Sequence, residues 1–319
     1  MNQEMLKKVG RFLNDNMVTV LFVIICIFGI PLSGYSANYL IQEVIVRVAR
    51  NAFLILSLLI PIMAGMGLNF GMTLGAMAGQ IGLIFISDWG IVGIPGMVLA
   101  AIISTPVSIF LGWMCGRILN MAKGREMVTS YIIGFFMNGI YQLVVLYGMG
   151  MLISVRNPAL LLSRGYGIRN TVNLVTIRKS LDNLIPLRIG GVQIPVATFL
   201  VIALLCIFII WFRRTKLGQD MRAVGQDMEV SRSAGIKVER TRILSIILST
   251  VFAGYGMIIY LSNIGTLNTY NSHSQIGMFS IAALLVGGAS VNKASIGNVF
   301  LGVILFHVMF IVSSMAGKN

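Results

Sequence analysis

The side chains able to do chemistry are few and scattered. His273 lies in a polar stretch and His307 inside an apolar run, each too isolated for a catalytic constellation. Cys26, Cys115 and Cys206 each lie in or at the end of a separate apolar run. They show no C-x-x-C spacing, so they read as small buried hydrophobes and not as metal ligands. No G-x-x-x-x-G-K-[ST] phosphate loop, H-E-x-x-H zinc signature or G-x-S-x-G turn occurs, so ATP hydrolysis by that route and membrane-enzyme chemistry fit poorly, and no cofactor is expected. Two features remain. One is a set of amides in or beside apolar runs, Asn69, Gln80, Asn138, Gln142 and Asn263, with Asn138 and Gln142 four apart on one helical face. Amides there need partners or water, and hydrogen-bonded packing is their usual role. The other is a charged island, Arg213–Arg242, that holds eight of the 24 basic and four of the ten acidic residues.

The elements that must position these groups are membrane helices. Of 319 residues, 57% are hydrophobic and only 11% charged, whereas soluble domains carry roughly a quarter charged residues. Several apolar runs approach the roughly 20 residues that a helix needs to cross a bilayer, and a helix satisfies its own backbone there. We expect an all-α, polytopic protein: a single transmembrane domain over residues 1–319 with about eight to ten spans, some broken at glycines. The net charge of +14 does not imply nucleic-acid binding, because the basic residues sit between apolar runs, where charge sets insertion orientation.

In order, a first uncleaved span covers Met17–Ile30, and the amphipathic Ile41–Asn51 with Arg47 and Arg50 is expected in the membrane interface. A second span, Ala52–Met66, runs into Gly65–Gly82, where six glycines fall within eighteen residues. Gly71, Gly75 and Gly79, spaced at four, suit close helix packing, while glycine at this density also permits an unwound turn beside a cavity. Asn69 and Gln80 tilt the reading toward a lined path. Further spans are expected up to Ser87, over Ile91–Met114, Thr129–Ile153, Ile194–Phe212 and Ile243–Leu261; a short apolar segment, Met278–Val286, follows, and the last span is Val299–Met315. Residues 156–192 and 262–277 read as polar loops.

With the N-terminus cytoplasmic, six crossings place the island inside as well. The inner side then carries 15 basic residues and the outer side nine, the asymmetry that the orientation rule requires. Within the island, Leu217–Val224 reads as a short helix ended by Gly225. Asp227 is placed to cap a second, which Gly235 ends in a left-handed conformation. Rigid, capped pieces at a membrane surface suit the docking of a soluble partner.

Three stretches carry a family resemblance. Thr215–Ile236, TKLGQDMRAVGQDMEVSRSAGI, resembles a T-x-L-G-x-x-x-R-A-x-G-x-N-x-x-A-A-x-x-x-G-I loop; Ala64–Met72, AGMGLNFGM, stands where a G-I-D-L-S-V motif is usual; Ser280–Ser290, SIAALLVGGAS, resembles A-I-A-A-V-x-x-G-G-x-S. They belong to the permease subunits of bacterial ABC importers of the ribose, galactose and nucleoside type, which share a fold with branched-chain amino-acid permeases. Asn69 replaces the usual Asp, Gly71 a Ser, Asp227 an Asn, and Val291-Asn292-Lys293 a glycine-rich turn. Such permeases usually continue through one more helix, so the resemblance implies either a sequence that stops short or a divergent subunit.

The resemblance implies a location in the bacterial inner membrane and three kinds of partner besides lipid: a separate ABC ATPase, a second permease subunit, identical or paralogous, and an extracytoplasmic solute-binding protein docking on 156–192 and 262–277. It makes Arg213–Arg242 a cytoplasmic coupling loop seated in the ATPase. Leu217, Met221, Val224 and Met228 are expected as its apolar contact and Arg222, Asp227, Glu229 and Arg232 as its polar rim. Bulk at Gly225 or Ala234 is expected to uncouple hydrolysis from uptake. Amides without fixed charge suit a neutral, polyhydroxylated solute such as a sugar or nucleoside. The competing reading is an ion-coupled carrier, which the glycine-broken helices also permit and which uptake surviving ATP loss would favour.

Overall fold

The computed structural model describes residues 16–316; the basic N-terminal Lys7, Lys8 and Arg11 and the C-terminal Lys318, used above for orientation, lie outside them. The helices are α1 Met17–Leu32, α2 Ala37–Ser57, α3 Leu59–Met63, α4 Met72–Trp89, α5 Gly93–Met121 and α6 Glu126–Leu143, the last followed by a π-helical turn Val144–Gly148. After α7 Val196–Phe212 come α8 Lys216–Gln226, α9 Met228–Ser233, α10 Val238–Ile264, α11 Ser272–Val286 and α12 Ile296–Ala316. The apolar runs read as spans fall on these helices, except that Ala52–Met66 is divided between α2 and α3 and Thr129–Ile153 runs past the π-helical turn. Among the described residues five helices are long and apolar enough to cross a membrane, or up to six if α7 and α8 count as one bent span. The all-α polytopic class is therefore observed, with only two small two-stranded sheets among the described residues.

α10 is the centre of the bundle and packs against α5, α4 and α2. Glycine explains how closely. A Cβ on Gly79 would lie 2.6 Å from the Gly254 carbonyl of α10, and one on Gly75 would run into the Thr250 carbonyl. Small residues let the two backbones touch without side chains between them. Upstream the same glycine-rich stretch does the opposite. Met63 ends α3, Gly65 and Gly67 turn the chain at φ of 70° and 68°, and α4 begins only at Met72. The left-handed conformation needed there is one that glycine adopts without a steric penalty. Close packing and an unwound break thus share one stretch, in successive halves.

Two sequence expectations need correction. Ile41–Asn51 is not a separate amphipathic segment: it is the middle of α2, which with α3 forms a 27-residue candidate span, Ala37–Met63. Its charges are met by protein: Arg47 pairs with Glu43 at 3.4 Å, Arg50 lies over the Tyr260 ring at 5.7 Å, and Asn51 donates to the Arg47 carbonyl at 2.8 Å. Likewise 262–277 is not one loop. α10 runs to Ile264 and ends at Gly265 with φ 81°. Asn268 Oδ1 then accepts from the backbone of Tyr270 and Asn271, and α11 starts at Ser272.

Connections sort into two ends of the bundle. At one, β1 Thr171–Asn173 pairs with β4 Thr266–Asn268, while β2 Pro186–Ile189 and β3 Val192–Pro195 form a hairpin. Gln42 there holds the Gln193 backbone, and Asp88 accepts from the backbone of Arg156 and Asn157 at 2.7 and 2.8 Å. The long 156–192 connection is thus clamped to helix ends. At the other end the break at Gly65, the start of α6, the charged island and residues 287–295 meet.

Candidate functional site

Three of the five singled-out amides come together. On α6, Gln142 Nε2 donates to Asn138 Oδ1 at 3.2 Å. His273, in the first turn of α11, is fully buried and hydrogen-bonds with Asn138 Oδ1 at 2.8 Å and with Gln80 Oε1 of α4 at 3.1 Å. Gln80 in turn donates to the Asn268 carbonyl at 3.4 Å. The chain Gln142–Asn138–His273–Gln80 therefore joins α6, α11 and α4 with no formal charge when the imidazole is neutral. A neutral ring donates at one nitrogen and accepts at the other, so an amide on one side must present its NH2 group. Turning Asn138 and Gln142 end for end does this without moving the helices. Tyr141 packs edge-on against His273 with ring centroids 5.2 Å apart.

Beside this chain lies a cavity of about 240 Å³ lined by Phe70, Thr73, Tyr131, Asn138 and Ser274. It offers the hydroxyls of Thr73 and Ser274 and the Asn138 amide together with the rings of Phe70 and Tyr131, which lie edge-to-face at 5.5 Å. Gly134 leaves the space that Thr73 fills, since a Cβ there would be 2.8 Å from Thr73 Oγ1. Such a lining can hydrogen-bond and stack a neutral polar solute.

The other two amides do not join this set. Asn69 Oδ1 accepts from Gly71 N at 2.9 Å and shapes the break, while its Nδ2 is buried without a partner. Asn263 donates to Asp182, which also accepts from Thr198 Oγ1, so it fastens the opposite end of α10 to the 156–192 connection. His273, Thr73 and Ser274 were missed from sequence. The available signal was the polar Ser272–Gln275 immediately ahead of the apolar Ile276–Val286, which is how a short helix with a polar first turn reads.

The island forms two helices. α8 bends away from α7 by 74°, after Thr215 caps it by accepting from Gly218 N. Asp227 Oδ1 caps α9, accepting from Glu229 N and Val230 N at 2.8 and 3.0 Å, and Gly235 closes the unit at φ 82°. Gly225 is not a terminator; it lies inside α8, against the break. A Cβ on Gly65 would come 2.8 Å from the Gly225 Cα, and one on Gly225 would overlap the Met63 carbonyl. α8 is thus seated backbone to backbone on the end of α3.

That seating corrects the expected apolar contact. Met221 and Val224 are 0% and 2% exposed; Met221 is clustered with Ile60, Met66 and Ile246, and Leu217 packs on the same cluster. Met228 Sδ faces Arg242. None of the four forms an outward apolar face. Outward are Arg222, Asp227, Glu229, Arg232, Ala234 and Gly235, with Glu229 and Arg232 paired at 3.1 Å. The exposed hydrophobe among them is Val230, 66% exposed, which sequence reasoning overlooked because it interrupts a polar run.

Comparison with known proteins agrees with this architecture. Residues 40–319 match the model of the family described as branched-chain amino acid transport system, permease component. The chain is 26% identical over 263 residues to the autoinducer 2 import system permease protein LsrD of Photorhabdus luminescens, covering 81% of this chain and 70% of that protein. It is 26% identical over 251 residues to the nucleoside ABC transporter permease protein NupB of Lactococcus lactis, covering 76% and 63%. It is 28% identical over 115 residues to the xylose transport system permease protein XylH of Haemophilus influenzae, covering 36% and 29%. No solved structure matches. A bundle of apolar helices, two of them joined by a capped helical island and others by an uncharged polar chain, together with a family match over most of its length, means that this multi-pass inner-membrane protein belongs to the branched-chain amino acid transport system permease family and is the membrane subunit of an ABC importer.

Proposed function

We propose that the chain, with a second permease subunit, forms the path for a neutral polar solute of the sugar or nucleoside class, and that a separate ATPase drives it through α8 and α9. In this reading the N-terminus and the island are cytoplasmic. A solute-binding protein docks at the opposite end, on residues 156–192 and 265–271. The observation that carries it is the seating of α8 on the break between α3 and α4, because a displacement of α8 is then delivered to the helix that holds Gln80. The uncharged chain through His273 and the aromatic-walled cavity support the solute class, as do the import systems of the relatives named above, for autoinducer 2, nucleosides and xylose.

Glu229, Arg232, Val230 and Ala234 supply the face that meets the ATPase, and Arg222 its edge. Gly225 keeps α8 close to the break, Asp227 and Gly235 hold α9 rigid, and Leu217, Met221, Val224 and Met228 fix the unit to the bundle. The test is uptake by the complex reconstituted with its ATPase and binding protein, using a pentose, a hexose and a nucleoside as probes. Saturable, ATP-dependent uptake of one of them supports the reading. Uptake that survives ATP removal and collapses with the ion gradient overturns it.

A further inference from the structure

Three segments at the island end of the bundle meet on one side chain. Arg242, in the first turns of α10, is 0% exposed although it carries a charge. Its Nη2 donates to the carboxylate of Glu126, the first residue of α6. Its Nε lies 2.7 Å from Met66 Sδ in the break, and its Nη1 3.3 Å from Met228 Sδ at the start of α9. The guanidinium thus touches the island, the break that leads to Gln80 on α4, and the helix that carries Asn138 and Gln142.

The three contacts differ in kind. A thioether sulfur is a weak acceptor, so Met66 and Met228 mainly shape the site. The carboxylate is indispensable, because a buried guanidinium without its counter-ion is strongly disfavoured. A shift of α9 that presses Met228 on the guanidinium can therefore change the thioether contacts, whereas the ion pair must move as a unit and take the start of α6 with it. Room for this exists: a cavity of about 480 Å³, lined by Met66, Gly67, Glu126, Met127 and Val291, lies beside the pair. Buried ion pairs are better suited to fixing one arrangement than to adding stability.

We propose that Arg242 is a positioning residue, the joint through which movement of α9 reaches both the break and α6, with Glu126 as its obligatory partner. The proposal rests on the island facing the ATPase. Its test uses the assembled complex in proteoliposomes, reading solute taken up per ATP hydrolysed in Arg242→Met, Arg242→Lys, Glu126→Gln and the double variant Glu126→Gln/Arg242→Met. We expect Arg242→Met and Glu126→Gln each to retain ATP hydrolysis while uptake per ATP falls roughly tenfold. The double variant should fall no further than either single one, and Arg242→Lys, which keeps the charge, should stay nearer the unaltered ratio. The isosteric Glu126→Gln keeps the question answerable if Arg242→Met fails to assemble. An unaltered ratio in an assembled Glu126→Gln or Arg242→Met complex, or uptake and hydrolysis falling in equal proportion, overturns the proposal. A parallel Val230→Asp variant separates the two levels. Loss of the ATPase subunit from that complex leaves the docking reading standing, whatever Arg242 does. Its retention at unaltered affinity removes that reading and the proposal with it.

Discussion

Gly225→Ala puts the seating of α8 to a quantitative test. In an exposed helix interior, alanine in place of glycine stabilises by about 1 kcal/mol, so propensity alone predicts a tighter α8. The contact predicts the reverse. The added methyl would overlap the Met63 carbonyl and lie 3.0 Å from Gly65 N, and both are backbone atoms that cannot rotate away. Overpacking of this kind costs roughly 1–3 kcal/mol. Set against the propensity gain, the seated arrangement should lose up to about 2 kcal/mol, a factor of up to roughly 30 in its population. Gly139→Ala is the control, since its Cβ would meet nothing within 4 Å. The assay is solute taken up per ATP by the reconstituted complex, with ATPase binding measured separately. We expect Gly225→Ala to lower the ratio several-fold with the ATPase still bound, and Gly139→Ala to leave it unchanged. A Gly225→Ala complex with an unaltered ratio would refute the backbone seating as the route of coupling.

Other outcomes follow from the same geometry. Val230→Asp should weaken capture of the ATPase subunit, read as its dissociation constant, without changing the melting temperature of the isolated permease, because Val230 is largely exposed. Met221→Ala should lower that melting temperature, since truncating a buried Met costs about 2–5 kcal/mol; an unaltered melting temperature would mean that Met221 faces outward after all. His273→Ala should reduce the maximal uptake rate with the binding protein's docking affinity unchanged, because it cuts the link between α6 and α4. Unaltered transport kinetics would exclude His273 from the path. Ala234→Trp should act like Val230→Asp, through bulk on the same outward face, and normal ATPase binding would contradict that placement.

What was legible in the sequence divides along physical lines. Apolar runs report helices directly, because the bilayer demands length and composition, although Ala52–Met66 proved to be divided between two helices. The Asp227 cap and the Gly235 turn were also legible, since both depend on neighbours in sequence only. Which way α8 faces was not. Leu217, Met221 and Val224 make an apolar stripe that would look the same against a partner or against the protein's own bundle. Tertiary packing decides, with Ile60, Met66 and Ile246 meeting Met221 and Leu217. Gly225 reads from sequence as a helix end and not as a contact, because a close approach between α8 and Gly65 spans a separation that no local pattern encodes. Arg47 and Arg50 suggested an interface because their partners, Glu43 apart, come from elsewhere in the bundle. His273 was hidden for a related reason: α11 is too short to announce itself as a span, so its polar first turn reads as loop.

The account's central claim is that energy enters from a partner through the Arg213–Arg242 face and moves a neutral solute through the bundle. Proteoliposomes holding the full complex test this most directly when ATP is confined to one side at a time and an ionophore collapses every ion gradient. Uptake should require ATP on the face where cleavage of the island by added protease is observed, and should be indifferent to the ionophore. Uptake without ATP that the ionophore abolishes, or uptake driven by ATP on the opposite face, would contradict it.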